Sequence, residues 1–343
     1  MEEEKYTVQT PHIYESYRDP DEGLSSVSEA INVAMTELQE AQCYDGIPGI
    51  PSGFESIDRL TFGWREGEFI VIAGRTSSGK TTLALNMAQN AAVDHNIHTL
   101  YITFSESSRD IARRLALSST DLYWDYICGV NKLEDYHWEH LEYRLKALSK
   151  SPLYINDSPR LSTDDIGALI QKMTRERGIR LVFIDDFNSI TTPIDYRGNK
   201  EAEMSNISIE LKRIAREQNV AIIALARLSR SAFYDNNRNS SSKPRLSDLK
   251  DTSALENDAD KILFVHKEDF VGLSENPDDY NKVSIIIAKN RNGETCDIDM
   301  YYKREEGKFK ELDESLEMGA NSMTIDSQMN VILENDPNKG FRN

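Results

Sequence analysis

The chain has 343 residues, 39% hydrophobic and 29% charged, a composition that supports a sizeable core and excludes wholesale disorder. Of its net charge of −18, residues 1–50 carry −9 and residues 311–343 carry −5, which leaves a nearly balanced middle and does not exclude a nucleic-acid partner. Apolar runs such as Phe69–Ala73 are too short to cross a bilayer, the start Met1-Glu2-Glu3-Glu4 is no signal peptide, and Cys43, Cys128 and Cys296 lack ligand spacing, so a cytoplasmic protein without membrane contact is expected.

Residues 1–24 are polar and acidic and are expected to form a flexible arm. Over residues 25–45, Val27, Ile31, Ala34, Met35 and Leu38 fall on one face of a short amphipathic helix, opened by a capping box of Ser26 and Glu29. So short a helix is marginal alone, and its stripe needs a surface on its own domain or on a neighbouring subunit. Tyr44–Gly53, rich in proline and glycine, reads as a linker. Strands and helices then alternate. Phe69–Ala73 is continuously apolar, as in a parallel strand buried on both faces, and a helix with Leu83, Leu85, Met87 and Ala88 follows. Thr99–Phe104 reads as a strand, Ile111–Leu117 as part of a helix and Leu153–Ile155 as a short strand. A helix over Ser162–Arg177 opens with a second capping box, Ser162 and Asp165. Strands Leu181–Ile184 and Val220–Leu225 flank a charged helix, Glu201–Gln218. Lys261–Val265, Val283–Ala288 and Asp297–Tyr302 complete the set, with a hairpin turn at Arg291-Asn292-Gly293. The fold class is α/β: a mostly parallel central sheet flanked by helices, ending in a C-terminal antiparallel hairpin. The main domain is placed at residues 46–310, with a disordered acidic tail over 311–343.

Gly74, Arg75, Thr76, Ser77, Ser78, Gly79, Lys80 and Thr81 match the phosphate-loop pattern G-x-x-x-x-G-K-[ST], directly after a strand and before a helix. With Thr82 they form a cradle of backbone N–H groups at a helix N-terminus, suited to the phosphates of ATP. Lys80 is expected to reach the β- and γ-phosphates, and the Thr81 hydroxyl to bind Mg²⁺. A second magnesium ligand is needed, and the apolar strand ending in Asp185 supplies it; Asp186 faces the next loop or solvent instead. Glu106, just after the second strand, either activates water or only complements a helix dipole.

Several further stretches carry a resemblance. Gly49-Ile50-Pro51-Ser52-Gly53-Phe54, Gly63-Trp64-Arg65-Glu66-Gly67-Glu68-Phe69, Phe104-Ser105-Glu106, Ser247-Asp248-Leu249-Lys250, Glu256-Asn257-Asp258-Ala259-Asp260 and Ile286-Ile287-Ala288-Lys289-Asn290-Arg291-Asn292-Gly293 stand in series. Together they resemble the C-terminal, RecA-like motor domain of DnaB-type replicative helicases. The resemblance implies that Glu106 activates the attacking water, and that Lys289 and Arg291 reach the γ-phosphate in the next subunit's site. It also implies a hexameric ring on single-stranded DNA, with a loader or primase as further partners, and assigns the amphipathic helix to docking on an adjacent motor. DNA contacts are expected from Arg227, Arg230, Arg238, Lys243 and Arg245 in one loop and from Arg197 and Lys200 in another.

The departures from the family pattern are specific. Arg227 stands where the family has Gln, Asp186 and Asn188 where it has Tyr and Gln, and Lys250 where it has Arg. The globular N-terminal domain of the family is expected to be missing. These differences leave two other readings open: a nucleotide-switched assembly or loading factor that does not unwind, and a RecA-like recombination ATPase.

Overall fold

The computed structural model describes residues 26–32, 34–35, 47–120, 122–228, 243–267 and 281–312. The chain divides into two compact units, Met1–Gly46 and Ile47–Asn343. In the first, residues 27–32 and 34–35 form helix α1, and its capping box closes as expected: the Glu29 N–H donates to Ser26 Oγ (3.2 Å) and the Ser26 N–H to Glu29 Oε2 (2.8 Å). Val27, Ile31 and Met35 of its stripe are exposed, and Leu38 lies outside the described residues.

The second unit is built on one sheet of strands β1 (Phe69–Gly74), β2 (Thr99–Thr103), β3 (Leu153–Asn156), β4 (Leu181–Asp185), β5 (Ala221–Arg227), β6 (Lys261–His266), β7 (Lys282–Asn290), β8 (Asp297–Lys303) and β9 (Lys308–Glu311), in the order β3-β2-β4-β5-β1-β6-β7-β8-β9. The strands from β3 to β6 run parallel, and β7, β8 and β9 extend the sheet antiparallel. The apolar runs have the expected cause. In β1, Ile70 and Ile72 enter one core with α2 (Glu55–Thr61), α3 (Lys80–Gln89) and α4 (Ser108–Ser119). Phe69, Val71 and Ala73 enter a second core with α7 (Thr163–Arg177), α8 (Lys200–Gln218) and α9 (Ser253–Asp258). A strand with helices on both faces has no polar side. No helix among the described residues is long and apolar enough to cross a membrane.

This topology decides where a ligand can sit. From β1 the chain passes through α3 to β2, beyond β5 and β4, whereas β6 lies on the other flank of β1. The strand order reverses at β1, and the crevice beyond the C-terminal ends of the strands at such a point is where open α/β sheets take ligands.

Periodicity did not reveal α2, α9, the short helix α5 (Trp124–Ile127), or α6 (Asp135–Lys150), on which only Leu141 is buried while Tyr136, Trp138 and Tyr143 are exposed. Large apolar side chains on the solvent side erase the 3.6-residue signal. Strand β9 was likewise unforeseen. Phe309 stacks on Tyr302 (4.7 Å between centroids, 11° between planes) and donates its N–H to Asn86 Oδ1 of α3 (2.9 Å), while Asn86 Nδ2 donates to the Gly307 carbonyl (3.1 Å). Glu311 Oε1 accepts the Ser56 N–H (2.7 Å) at the start of α2. The last strand is thus bolted to two helices of the core. Truncating the 5%-exposed Phe309 to Ala is expected to cost about 3 kcal/mol, read as a lowered urea midpoint at unchanged m-value.

Candidate active site

Gly74 ends β1 and Lys80 begins α3, so residues 75–79 form the turn between them. Two positions in this turn demand unusual backbone. Ser77 has φ of 65°, and Gly79, the residue before α3, has φ of 99°. A Cβ on Gly79 would lie 2.9 Å from Phe309 Cζ and 3.2 Å from Tyr302 Cε1, so the β8–β9 hairpin itself requires glycine there. The hairpin also reaches Thr82, whose hydroxyl lies 3.2 Å from that of Tyr302.

Lys80 Nζ folds back to donate to the carbonyls of Gly74 (2.9 Å) and Arg75 (2.8 Å). Burial lowers its pKa to about 8, against the opposing pull of Asp185 and Asp186 and with the help of Arg227. The Thr81 hydroxyl donates to Asp185 Oδ2 (2.8 Å), and the Tyr101 hydroxyl donates to the same oxygen (3.1 Å). Asp185 is 8% exposed, and its pKa is raised by burial, with the charges of Asp186 and Glu106 adding to this and the Thr81 and Tyr101 hydroxyls opposing it. Burial and the neighbouring Asp185 push the Tyr101 phenol well up as well, so it stays a donor.

Thr103 pairs with Asp185 in the β2–β4 ladder, which brings Glu106, three residues on, to the same edge. Glu106 precedes the Ser107 cap of α4, and its carboxylate is held by Arg114 through two hydrogen bonds (2.6 and 2.9 Å). Its partner is therefore a guanidinium one turn into α4 and beyond, not the free N–H groups of the helix start. Beside Thr82 opens a cavity of about 540 Å³, with Asn86, Arg114, Tyr123, Trp124 and Tyr302 in its lining.

Asp186 does not face solvent. It is 5% exposed, its Oδ1 accepts the Asn188 N–H (3.0 Å), and its Oδ2 lies 2.6 Å from Arg227 Nη2. Arg227, expected in a DNA-facing loop, is the last residue of β5 and the register partner of Gly74. Arg230 and Arg238 lie outside the described residues. Of the other basic residues, Lys243 pairs with Asp297 (2.5 Å) and Lys200 with Glu203 (3.0 Å), while the Arg197 N–H donates to Asp195 (2.8 Å) and the Arg245 N–H to Asp248 (2.8 Å). β4 and β5, which precede these stretches, are adjacent strands that end at one edge of the sheet.

Lys289 and Arg291 stand elsewhere. Lys289 Nζ donates to the carbonyls of Glu256 (2.6 Å) and Asn257 (3.2 Å) at the end of α9, and burial together with the charge of Arg291 lowers its pKa. Arg291 Nη2 donates to the Asn257 carbonyl (3.3 Å), and Nη1 lies 3.1 Å from Asp260 Oδ1. The other Asp260 oxygen accepts the N–H of Phe69, the first residue of β1. The two cations therefore sit toward the opposite edge of the sheet from Gly74, the anchor of Arg291 at Asp260 being about 17 Å away along β1 at the usual strand rise.

Residues 49–311 match the family described as DnaB-like helicase C terminal domain. The chain belongs to this family. It is 31% identical over 282 residues to the replicative DNA helicase DnaB of Geobacillus stearothermophilus, a match over 82% of this chain and 60% of that protein. A solved ATPase domain aligns with a TM-score of 0.76 at 30% identity, over 84% of this chain and all of the other. A DnaB-like replicative helicase, solved in a study of its interactions with primase, aligns with a TM-score of 0.73 at 30% identity, over 84% and 68% of the two chains. The chain spans about 60% of the length of the curated relatives it matches. Its fold is the RecA-like ATPase fold of these neighbours.

The sequence reading missed Tyr101, Arg114 and Tyr302. For Tyr101 a signal existed: Thr99, Tyr101 and Thr103 alternate on one face of β2, and a tyrosine in a buried strand needs a partner for its hydroxyl. Replacing Tyr101 by Phe is expected to weaken magnesium-dependent triphosphate binding about fivefold, since Asp185 loses one of two orienting donors. A fluorescent-nucleotide titration with and without magnesium checks it, and an unchanged magnesium dependence contradicts it.

Proposed function

We propose that this chain is an ATP-driven DNA translocase of the DnaB type, working as a hexameric ring on single-stranded DNA and hydrolysing ATP between subunits. The observation that carries the reading is the separation of its two half-sites. Gly74 to Thr82, Asp185 and Glu106 lie at the C-terminal edge of the parallel strands, and Lys289 and Arg291 lie at the other edge. An arginine side chain cannot cross that distance to its own phosphate loop. If these cations act on ATP, they act on the ATP of a neighbour. An arginine fork supplied in this way matches the phosphoryl oxygens and is worth about 10³–10⁵ in rate.

The residues present fit a magnesium nucleotide. A hydroxyl and a carboxylate are already within 2.8 Å of each other, and the described residues hold no group of three or more His, Cys, Asp or Glu that would form an all-protein cage. That is the ligand set of a magnesium ion completed by phosphates and water. When bound, the ion neutralises charge on the β- and γ-phosphates. Lys80 would exchange the Gly74 and Arg75 carbonyls for phosphate oxygens, and its low pKa would rise beside their charge. Glu106 would leave Arg114 to take a proton from the attacking water. The cavity beside Thr82 offers the base aromatic faces and a guanidinium.

The names of the relatives support DNA as the track, and primase as a partner class. β4 and β5, which precede the two expected DNA-contact stretches, end at the same sheet edge as the phosphate loop, and this supports a link between the two sites.

Single-stranded DNA is expected to stimulate ATP hydrolysis by the full chain. Arg291→Ala and Lys80→Ala subunits are each expected to lose activity at least a hundredfold as pure populations. Mixed together, they should recover part of it, because an interface between an intact phosphate loop and an intact finger re-forms. No recovery, in mixtures shown by native mass spectrometry to co-assemble, overturns the assignment of Arg291 to the neighbour's site. ATP hydrolysis that is indifferent to DNA, without strand displacement on a forked duplex, favours a nucleotide-switched assembly factor.

A further inference from the structure

The turn that carries Arg291 is held at both flanks and in its middle. At its start, Asn290 Nδ2 donates to the Leu60 carbonyl near the end of α2 (3.0 Å) and to the Glu294 carbonyl across the turn (3.1 Å). Gly293 passes so close to the same α2 carbonyl that a Cβ there would lie 2.5 Å from it. Between them, Asn292 Nδ2 donates to Glu68 Oε1 (3.1 Å). Glu68 stands just before β1 and is 6% exposed. Its other oxygen accepts the Arg65 N–H (3.0 Å) and pairs with the ammonium of Lys261, the fully buried first residue of β6. Lys261 Nζ also donates to the Gly63 carbonyl (3.3 Å) and lies 6.0 Å from the centre of the Trp64 ring. Burial lowers its pKa against the opposing pull of Glu68. β7 reaches the turn through a bulge: Ile262 pairs with Lys289 but Leu263 with Ile287, which leaves Ala288 unmatched. Such a bulge re-aims the side chains beyond it.

A buried lysine–glutamate pair stabilises a fold no better than two well-packed apolar side chains. This pair does what apolar side chains could not: it presents a carboxylate oxygen to the residue next to Arg291. A hydrogen bond to an ionised acceptor is roughly twice as strong as a neutral one. Two holds therefore act on different parts of one turn. Asp260 holds the Arg291 guanidinium, which is half exposed and must shift to meet a phosphate. Glu68 holds the turn itself. We propose that Glu68 and Asn292 are positioning residues of the finger: the carboxylate, held in place by Lys261, fixes the turn through the Asn292 amide and so sets where Arg291 is presented to the nucleotide of the next subunit. The inference rests on reading Arg291 as acting on a neighbour's ATP. A displacement of about 1 Å in a transition-state contact costs on the order of a hundredfold in rate, so the placement of this turn bears on turnover. It bears on the neighbour's chemistry and not on nucleotide binding by its own phosphate loop, which lies at the other end of β1.

The test is ATP turnover by the full chain at saturating nucleotide on single-stranded DNA, beside the affinity for a non-hydrolysable ATP analogue with magnesium. Asn292→Ala, at an exposed turn position, is expected to lower turnover about tenfold and to leave the analogue's affinity within about twofold. Asn292→Gln keeps an amide donor and should retain part of the turnover. Asn292→Asp sets a second carboxylate against Glu68 and should retain no more than Asn292→Ala. Replacing the pair together, Glu68→Leu with Lys261→Met, should leave the melting temperature near wild type and reproduce the Asn292→Ala loss. The Asn292 variants carry the test should that double variant not fold. Mixed with Lys80→Ala subunits, whose fingers are intact, Asn292→Ala should regain turnover, and mixed with Arg291→Ala subunits it should not. Wild-type turnover in Asn292→Ala, or a loss matched by an equal loss of analogue affinity, overturns the positioning role. The finger still stands in that case if Arg291→Ala is inactive alone and recovers with Lys80→Ala. Wild-type turnover in Arg291→Ala overturns the finger and its positioning together.

Discussion

Two carboxylates, Asp185 and Asp186, stand side by side and nearly out of reach of water at the end of β4. Neither can hold its charge there without partners, and the surrounding site is largely the set of those partners. Thr81 and Tyr101 direct hydroxyls at the first, Asn188 and Arg227 satisfy the second, and Lys80 lies within the field of both. The partners come from the start of α3, from β2, from the segment after β4 and from β5, so the two acids tie these elements to one another. The cost is that Lys80 is itself partly stripped of water and rests on backbone carbonyls, a poor substitute for the phosphates its position suits.

The sheet makes this arrangement possible because parallel strands deliver all their C-terminal ends to one edge. Gly74, Asp185 and Arg227 end β1, β4 and β5, and the ladder sets Gly74 opposite Arg227. The antiparallel end of the sheet contributes differently. Its last hairpin turns Tyr302 and Phe309 onto Gly79 and Thr82, so the start of α3 is packed from the side away from the carboxylates. An anion-binding helix start gains from such support, since the value of its N–H groups depends on their being fixed before the ligand arrives.

The phosphate turn and the acid after an apolar strand were legible in the sequence because each is local: a spacing of glycines and lysine in one case, a run of buried residues stopped by Asp in the other. The strands of the parallel sheet were legible for the same reason, although β5 runs two residues beyond the expected end at Leu225. What escaped was non-local. Nothing in the order of residues says that Arg227 pairs with Gly74, and so its charge read as part of a basic loop, and Asp186, read as facing the next loop or solvent, was not connected to it. Arg114 is one of several charges in α4, and only the folded chain sets its guanidinium against Glu106. Strand β9 is too short and too charged to announce itself, and Phe309 is recognisable as core only once α3 is beside it.

The parked position of the two cations at the far edge bears on how subunits would communicate. Lys289 and Arg291 rest on the last carbonyls of α9 and on Asp260, a place where helix-end dipole and carboxylate both favour positive charge. Asp260 also binds the first N–H of β1 and Lys212 of α8, so the resting place of the finger is welded to the strand that ends in the phosphate loop. An arginine has five donors, and Asp260 and the Asn257 carbonyl use only some of them, so Arg291 can reach toward a neighbour without abandoning its anchor. A side chain held in this way is already ordered, and its carboxylate partner also holds the base of β1. If Arg291 acts on a neighbour's nucleotide, as proposed, β1 joins its anchor at Asp260 to the phosphate loop of its own subunit, and successive sites in a ring would be linked through that strand.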